Sequence, residues 1–298
     1  MAHGKLIILF AIIFLTAGNL SAITITGNVL NTEFAPYIKQ WANEVAVSGL
    51  GVFSGCIPDT VSVDIANTNE EFRRFSKGRL PDWGIGAADP SGKRIILKNP
   101  NRFSYAQGFG EVVKHEFAHI YLESCCPRCA WPRWFHEGCA MLFSGEWRVG
   151  RDVTVARALI FSDLPSLAEL DNVNRFSQAK ASLSYSLSYL AMRRFVDQFG
   201  RGGLNELFKH MNQGKSFEAA FYHSTGFHFD LWEVDFKEYL RDRYIFLFWF
   251  TDLPIFWTAM VVLFILAYLL KRRQAKKKAE EWEKTENYDY FDYGSSQD

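Results

Sequence analysis

The sequence lacks an excess of charge of either sign. Its 33 lysines and arginines are balanced by 33 aspartates and glutamates, so the formal net charge at pH 7 is zero. Domains that bind nucleic acid normally carry a clear basic excess, so we expect no nucleic-acid partner. The middle of the chain also lacks an internal repeat and a linker rich in Pro or Ser, which predicts one domain over residues 23–248.

An apolar run lies close to the N-terminus. Leu6 to Leu15 follows the weakly basic residues His3 and Lys5, and small or polar residues continue to Ala22. This layout is typical of a secretory signal peptide over residues 1–22. The same segment could also remain attached as an uncleaved anchor.

A second apolar run predicts a transmembrane helix over residues 249–270. Leu253 to Leu270 comprises 18 residues without a charge, and as a helix it would be roughly 27 Å long, close to the thickness of a bilayer core. Lys271-Arg272-Arg273 follows at once, and the positive-inside rule would place it in the cytoplasm. We therefore expect a single-pass protein of the cell membrane, with an extracytoplasmic domain and a charged cytoplasmic tail over 271–298.

The pattern between the two apolar runs predicts an α+β fold. Thr60 to Ala66 alternates like a strand, and the segments 85–88 and 94–97 flank a turn, as in a hairpin. Helical spacing of apolar residues then dominates from Gln107 onward. We expect a small mixed sheet followed by a mainly helical part, and one C-terminal transmembrane helix after that.

The motif H-E-x-x-H occurs at residues 115–119, within a helical pattern. Residues four apart share one face of a helix, so His115 and His119 can direct ring nitrogens at one metal ion. Glu116 lies one step round the helix and can reach a water beside that ion. Metal-assisted hydrolysis needs this combination of two neutral ligands and a basic carboxylate.

A third ligand is available from the next predicted helix. Glu137 lies in the segment W-F-H-E-G, which follows a turn over residues 125–132. The 17 residues between His119 and Glu137 suffice for a helical turn, a loop and the start of an antiparallel helix. His136 points about a quarter-turn away from Glu137, so we expect it near the site or on the surface and not as a ligand.

These two motifs resemble those of gluzincin zinc metallopeptidases, and in particular of the peptidase MA-like family. The segment W-x-x-E-G-x-A at Trp134 to Ala140 is similar to the one that supplies the glutamate ligand in that class. The resemblance covers roughly Thr60 to Tyr244, and it implies a zincin-like domain. The exopeptidase motif G-x-M-E-N of aminopeptidase-N-type enzymes is absent. Flanking segments that share the family pattern are 95–100, 185–188, 196–200 and 219–226.

The resemblance implies one catalytic Zn²⁺ held by His115, His119 and Glu137. Glu116 would act as general base for a metal-activated water, and the substrate would be a peptide or protein. Tyr185 would donate to the developing oxyanion. Tyr189, His223 and His228 remain alternative donors. The strand Arg94 to Lys98 could bind an extended substrate by edge pairing.

Five cysteines occur, four of them around the loop between the two metal helices: Cys56, Cys125, Cys126, Cys129 and Cys139. Disulfides are the default expectation for an extracytoplasmic domain, and one thiol must then remain unpaired within the chain. A second, structural zinc held by the clustered cysteines is an alternative. The sequence does not fix the connectivity.

Two other functions compete with a zinc metallopeptidase. The first is a catalytically weak or inactive zinc-binding scaffold that recognises peptides or cell-envelope partners. The intact Glu116 disfavours it, because such a scaffold has no chemical need for that carboxylate. The second is a structural membrane protein in which H-E-x-x-H arose by chance. The presence of W-x-x-E-G at a workable distance disfavours this reading.

Overall fold

The fold is known from a computed structural model of the 298-residue chain. The structure describes residues 23–49, 51–53, 55–77, 84–89, 91–105, 108–146, 155, 158, 164–170, 178–251 and 253–292. The predicted signal segment over residues 1–22 lies outside them. The described residues before Arg243 form one compact unit, and those from Arg243 onward form a second.

The described elements comprise four strands and a larger number of helices. The strands are β1 (Thr24–Thr26), β2 (Thr60–Ala66), β3 (Gly86–Asp89) and β4 (Arg94–Lys98). A 3₁₀ turn spans Asn28–Asn31. The α-helices are α1 (Ala35–Ser48), α2 (Asn69–Phe75), α3 (Phe109–Cys125), α4 (Arg133–Ser144), α5 (Gln178–Asn212), α6 (Phe217–Thr225), α7 (Phe229–Thr251) and α8 (Leu253–Asp292).

The sheet is small and mixed, with the strand order β1-β2-β4-β3. The first three strands in this order run parallel, and β3 pairs antiparallel with β4 through the hairpin. The strand positions predicted at 60–66 and in the hairpin agree with the structure. The short strand β1 was not predicted, because three residues with one buried side chain carry no periodic signal.

Helices cover both faces of the sheet. On one face, Phe72 of α2 packs with Ala66 and Ile96. On the other face, Leu97 lies beside α3, which contacts both β3 and β4. Because both faces of the sheet are covered, β4 carries apolar side chains at the consecutive positions Ile95, Ile96 and Leu97.

The helix α3 carries the H-E-x-x-H motif and is held by its apolar side. Its buried residues recur at helical spacing, and they include Val113, Phe117 and Ile120. The hydroxyl of Tyr121 donates to the carbonyl of Ala42 in α1 at 3.1 Å, inside the core. The amide of Asn212 donates to the carbonyl of Cys125 at 2.6 Å and so caps the end of α3.

The helices α4 and α5 approach each other unusually closely at Gly138. A Cβ added there would lie 2.3 Å from the backbone oxygen of Ser188, so no larger residue fits without separating the helices. Further along, Gly200 has a φ of 69° and interrupts α5. Only glycine adopts this conformation without steric cost.

Four of the five cysteines form two disulfides, which gives the connectivity that the sequence left open. Cys56 is bonded to Cys125 at the end of α3, and Cys126 is bonded to Cys129 within the following loop. Cys139 is in neither bridge and is fully buried. With four cysteines in disulfides, the alternative of a second zinc held by them is wrong.

The prediction of a C-terminal transmembrane helix over residues 249–270 needs correction. Where the structure describes side chains, no helix combines the length and the apolarity that a membrane crossing requires. The predicted membrane helix is therefore wrong. The prediction of a single-pass cell-membrane location depended on this helix and is wrong with it. The predicted membrane partner also depended on this helix and has no other support.

The described structure is mainly helical, with one small mixed sheet. The tail after Leu270 is the continuation of α8, which ends at Asp292. The predicted cytoplasmic location of this tail also depended on the membrane helix.

The Cys56–Cys125 disulfide should contribute strongly to stability. It closes a loop across 69 positions, and by the chain-entropy model such a loop stabilises the fold by about 4 kcal/mol. We expect the double substitution of both cysteines by alanine to lower the free energy of unfolding by roughly 2–4 kcal/mol, measured by denaturant titration.

The matched control is the double alanine variant of Cys126 and Cys129. Their separation of 3 positions gives a smaller entropic gain of about 2 kcal/mol. An equal loss of stability in both variants would contradict the assignment of the larger contribution to the long loop.

Candidate metal centre

Two helices bring three potential ligand atoms to one point. Nε2 of His115 and Nε2 of His119 lie 3.0 Å apart on α3. Oε2 of Glu137, from α4, lies 3.4 Å from the first nitrogen and 3.5 Å from the second. The structure thus brings together the three residues that the sequence predicts as metal ligands, and this group could hold a metal ion.

The spacing of these atoms fits a tetrahedral metal site. An ion with four bonds of about 2.05 Å separates its ligand atoms by about 3.3 Å. The observed separations of 3.0, 3.4 and 3.5 Å bracket this value. Three atoms arranged in this way form one triangular face of a tetrahedron, so the fourth position is available to water or substrate.

Glu137 reaches the site from the start of the second turn of α4. The helix begins directly after Pro132, whose fixed φ suits a helix start. While Oε2 faces the two histidines, Oε1 lies 3.5 Å from a guanidinium nitrogen of Arg133. Burial alone would raise the pKa of Glu137, but hydrogen bonds from His115 and His119 hold it well below its usual range. The carboxylate is therefore ionised and ready to bind a cation.

Glu146, which the sequence analysis missed, supports His115. Its carboxylate oxygen lies 3.1 Å from Nδ1 of His115, and its side chain is 3% exposed. A carboxylate can only accept, so Nδ1 of His115 donates to Glu146 and Nε2 is the ring nitrogen that faces Glu137.

A helix C-cap puts Glu146 in this place. Gly145 ends α4 in the left-handed conformation with a φ of 70°. The backbone N–H of Glu146 donates to the carbonyl of Met141 at 3.1 Å, and that of Gly145 donates to Leu142. This is a Schellman motif, which turns the chain back across the helix end. In the sequence, Gly145 after the last apolar residues of α4 indicates the helix cap. It does not indicate that the next residue, Glu146, contacts His115.

His119 is supported by a second imidazole. Its Nδ1 lies 3.1 Å from Nδ1 of His136, and the two rings stack with centroids 4.6 Å apart. Burial, followed by the nearby charge of His119, lowers the pKa of His136 to about 3. His136 is therefore a neutral imidazole beside the ligand group and is not itself part of that group.

Carboxylates determine the protonation state of His115. Burial lowers the pKa of His115, but the hydrogen-bonded carboxylates of Glu137 and Glu146 together raise it to about 10. Without a metal ion, a proton on His115 compensates part of the negative charge. A divalent cation would have to displace that proton.

Glu116 lies between the ligand group and the edge of the sheet. It is 8% exposed, and its carboxylate accepts a hydrogen bond from the backbone N–H of Ala88 in β3. Burial raises its pKa, while the neighbouring histidines oppose this rise. A Cβ at Gly86 would lie 2.7 Å from Val112 and 3.2 Å from Glu116, so glycine lets β3 pass this close to α3.

Tyr185 of α5 also lies at the site. The charge of Glu137, followed by burial, raises its pKa above the usual value, and Arg133 donates a hydrogen bond to its oxygen. The phenol is therefore protonated, and its own O–H remains a donor. Its position follows from the close contact at Gly138, since Tyr185 lies one helical turn before Ser188.

The other predicted oxyanion donors have different surroundings. The oxygen of Tyr189 accepts a hydrogen bond from Arg193, which also pairs with Asp197. The ring of His223 packs against His210, and that of His228 stacks on Tyr222. Both histidines are exposed.

The prediction of edge pairing by residues 94–98 is wrong, because β4 has a partner strand on both sides. At the β4 end of the described sheet, the edge strand is β3. The carbonyl of Ile85 accepts a hydrogen bond from the N–H of Lys98, and in an antiparallel pair hydrogen-bonded and non-hydrogen-bonded residues alternate. Gly86 and Ala88 therefore direct their backbone groups away from β4, toward the side of β3 that has no partner strand among the described residues, where Glu116 lies.

A family model described as the Peptidase MA superfamily matches residues 60–242, which is more than half of the chain. The match begins at β2 and includes α3, α4 and α5. No curated protein matches the chain.

The affinity of the site for zinc should rise with pH. With a pKa of about 10, His115 is protonated at neutral pH and must lose this proton before it can bind. We expect zinc affinity to increase by about tenfold per pH unit between pH 7 and 9. Calorimetric titrations in buffers of different ionisation enthalpy should detect the proton released.

Substitution of Glu146 by Gln provides the matched control. Loss of its negative charge should lower the pKa of His115, so the pH dependence should move to lower pH. A zinc affinity that stays constant across this range in the native chain would contradict the assignment.

Proposed function

Because the chain belongs to the Peptidase MA superfamily, we propose that it is a zinc-dependent metallopeptidase that hydrolyses peptide bonds. Membership in this family makes it a peptidase-type hydrolase in the broad sense. We further propose that one Zn²⁺ is bound by His115, His119 and Glu137. Glu116 would be the general base of the reaction.

One observation carries this proposal. The two Nε2 atoms and Oε2 of Glu137 lie 3.0–3.5 Å apart, with a buried carboxylate on the adjacent residue of α3. A binding scaffold would need the ligands but would have no use for Glu116. Its burial disfavours the charged form, so keeping this side chain costs stability.

The ligand set favours zinc. Magnesium and calcium prefer oxygen ligands, whereas two of the three atoms here are imidazole nitrogens. Zinc accepts two histidines and a glutamate in a tetrahedral site. When bound, zinc would lower the pKa of an attacking water and polarise the scissile carbonyl.

Glu116 would accept the proton of the attacking water. Its raised pKa makes it a better base than an exposed carboxylate would be. The N–H of Ala88 holds the carboxylate on the sheet side of the site. After the attack, Glu116 would deliver the proton to the leaving amine.

Tyr185 would stabilise the oxyanion that develops on the scissile carbonyl. Its raised pKa keeps the phenol protonated, and the hydrogen bond from Arg133 occupies its oxygen but not its proton. The donor is therefore fixed before the substrate arrives, which is what electrostatic stabilisation of a transition state requires.

The edge of β3, which has no partner strand in the described part of the chain, offers a binding place for an extended peptide. The carbonyl of Ala88 and both backbone groups of Gly86 face this edge, next to Glu116. An extended substrate could add as a strand and so bring a peptide bond to the metal group. This arrangement supports a peptide substrate, because it recognises main-chain groups.

Substitution of Glu116 by Gln should abolish most of the activity without loss of the metal. The amide retains the shape of the side chain but cannot accept the proton, and general-base catalysis contributes about 10²–10⁴-fold. We expect the variant to bind zinc like the native chain and to cleave a broad peptide library at a rate lower by that factor.

Zinc content and cleavage should be measured on the same preparations of the full chain. A native chain that binds zinc but cleaves no peptide would favour the scaffold function. An undiminished rate in the Glu116→Gln variant would exclude the proposed role of this residue.

Substitution of Tyr185 by Phe should lower kcat by about 10²–10³-fold, with little change in KM, because only the transition state uses the hydroxyl. Tyr189→Phe is the matched control on the same helix and should retain near-native kcat. The reverse order of the two effects would identify Tyr189 as the donor.

A further inference from the structure

His136 is the residue whose chemistry the proposed reaction leaves unused. It lies directly before a ligand, and its ring stacks on that of His119 at 4.6 Å with an interplanar angle of 25°. The two Nδ1 atoms are 3.1 Å apart, within hydrogen-bond distance. Two neutral imidazoles bond in this way only when one nitrogen carries a proton and the other a lone pair.

The metal determines which nitrogen carries the proton. Nε2 of His119 faces His115 and Glu137 at 3.0 and 3.5 Å, so a metal would occupy its lone pair. A neutral imidazole has one lone pair and one N–H. Nδ1 of His119 must therefore carry the proton and donate it, and Nδ1 of His136 must accept.

The other nitrogen of His136 then carries a proton. Within the part of the chain that the structure describes, this buried Nε2 has no hydrogen-bond partner. An unsatisfied buried donor is unfavourable, and most buried polar atoms avoid it. Packing alone gives no reason to keep a histidine here, since an apolar ring would fill the space without an unsatisfied donor.

We infer that His136 is a positioning residue that fixes the tautomer and ring orientation of the ligand His119. Its neutral imidazole accepts the Nδ1 proton of His119 and so directs the Nε2 lone pair toward the metal. This inference depends on the metal site of the proposed function. The two ligand histidines are then supported differently, His115 by the carboxylate of Glu146 and His119 by an imidazole.

Two variants separate hydrogen bonding from packing. His136→Asn retains an acceptor close to the place of Nδ1 but loses the ring. His136→Phe retains a ring that can stack on His119 but has no acceptor. A hydrogen-bond role predicts that the Asn variant keeps zinc affinity within about threefold of native and that the Phe variant loses about 10–100-fold. A packing role predicts the reverse order.

The measurements should be zinc affinity by competition with a chelator, and ¹⁵N chemical shifts of the histidine rings in the zinc-loaded chain. We expect a protonated Nδ1 and a metal-bound Nε2 at His119 in the native chain and in His136→Asn. The thermal midpoint of each metal-free variant shows whether it folds. If His136→Phe does not fold, His136→Leu takes its place.

The outcomes distinguish this inference from the proposed function. Native affinity and native ring shifts in His136→Phe or His136→Leu would overturn the inference, even if the chain is an active peptidase. Equal losses in His136→Asn and His136→Phe would also overturn it. The expected order of affinities in a chain that cleaves no peptide would leave the inference standing and overturn the proposed function. A native chain that binds no zinc would overturn both.

Discussion

The close approach of α4 to α5 at Gly138 determines the geometry of the site. A Cβ there would lie 2.3 Å from the backbone oxygen of Ser188. The two helices would have to move apart to make room for it, and this would disturb the close packing of the core. Glu137 precedes this contact and Tyr185 lies one turn from it. The same helix–helix contact thus brings the potential metal ligand Glu137 and the potential hydrogen-bond donor Tyr185 to the same site.

Charge is the second constraint. Glu116, Glu137 and Glu146 are buried around two imidazoles, and like charges at such distances destabilise each other unless cations compensate them. Arg133 and a protonated His115 supply part of this compensation. A bound cation at the point where His115, His119 and Glu137 converge would compensate more of this charge.

The sequence predicted those parts of the site that depend on local periodicity. The i, i+4 relation of His115 and His119 follows from helical geometry alone, and the W-x-x-E-G segment indicates a nearby helix that supplies Glu137. Glu146 and the edge position of β3 could not be predicted, because each depends on a tertiary contact. The membrane helix was inferred from an apolar run and the basic residues that follow it, and among the described residues no helix combines the length and the apolarity that a crossing requires.

Cys139 lies one residue beyond Gly138, with its thiol fully buried. Burial raises the pKa of this thiol well above its usual value, and only a thiolate reacts readily with alkylating or disulfide reagents. Modification of this side chain therefore requires α4 to separate locally from its neighbours. The rate at which a small thiol reagent modifies Cys139 is then a direct chemical measure of how often the proposed active site opens in the native state.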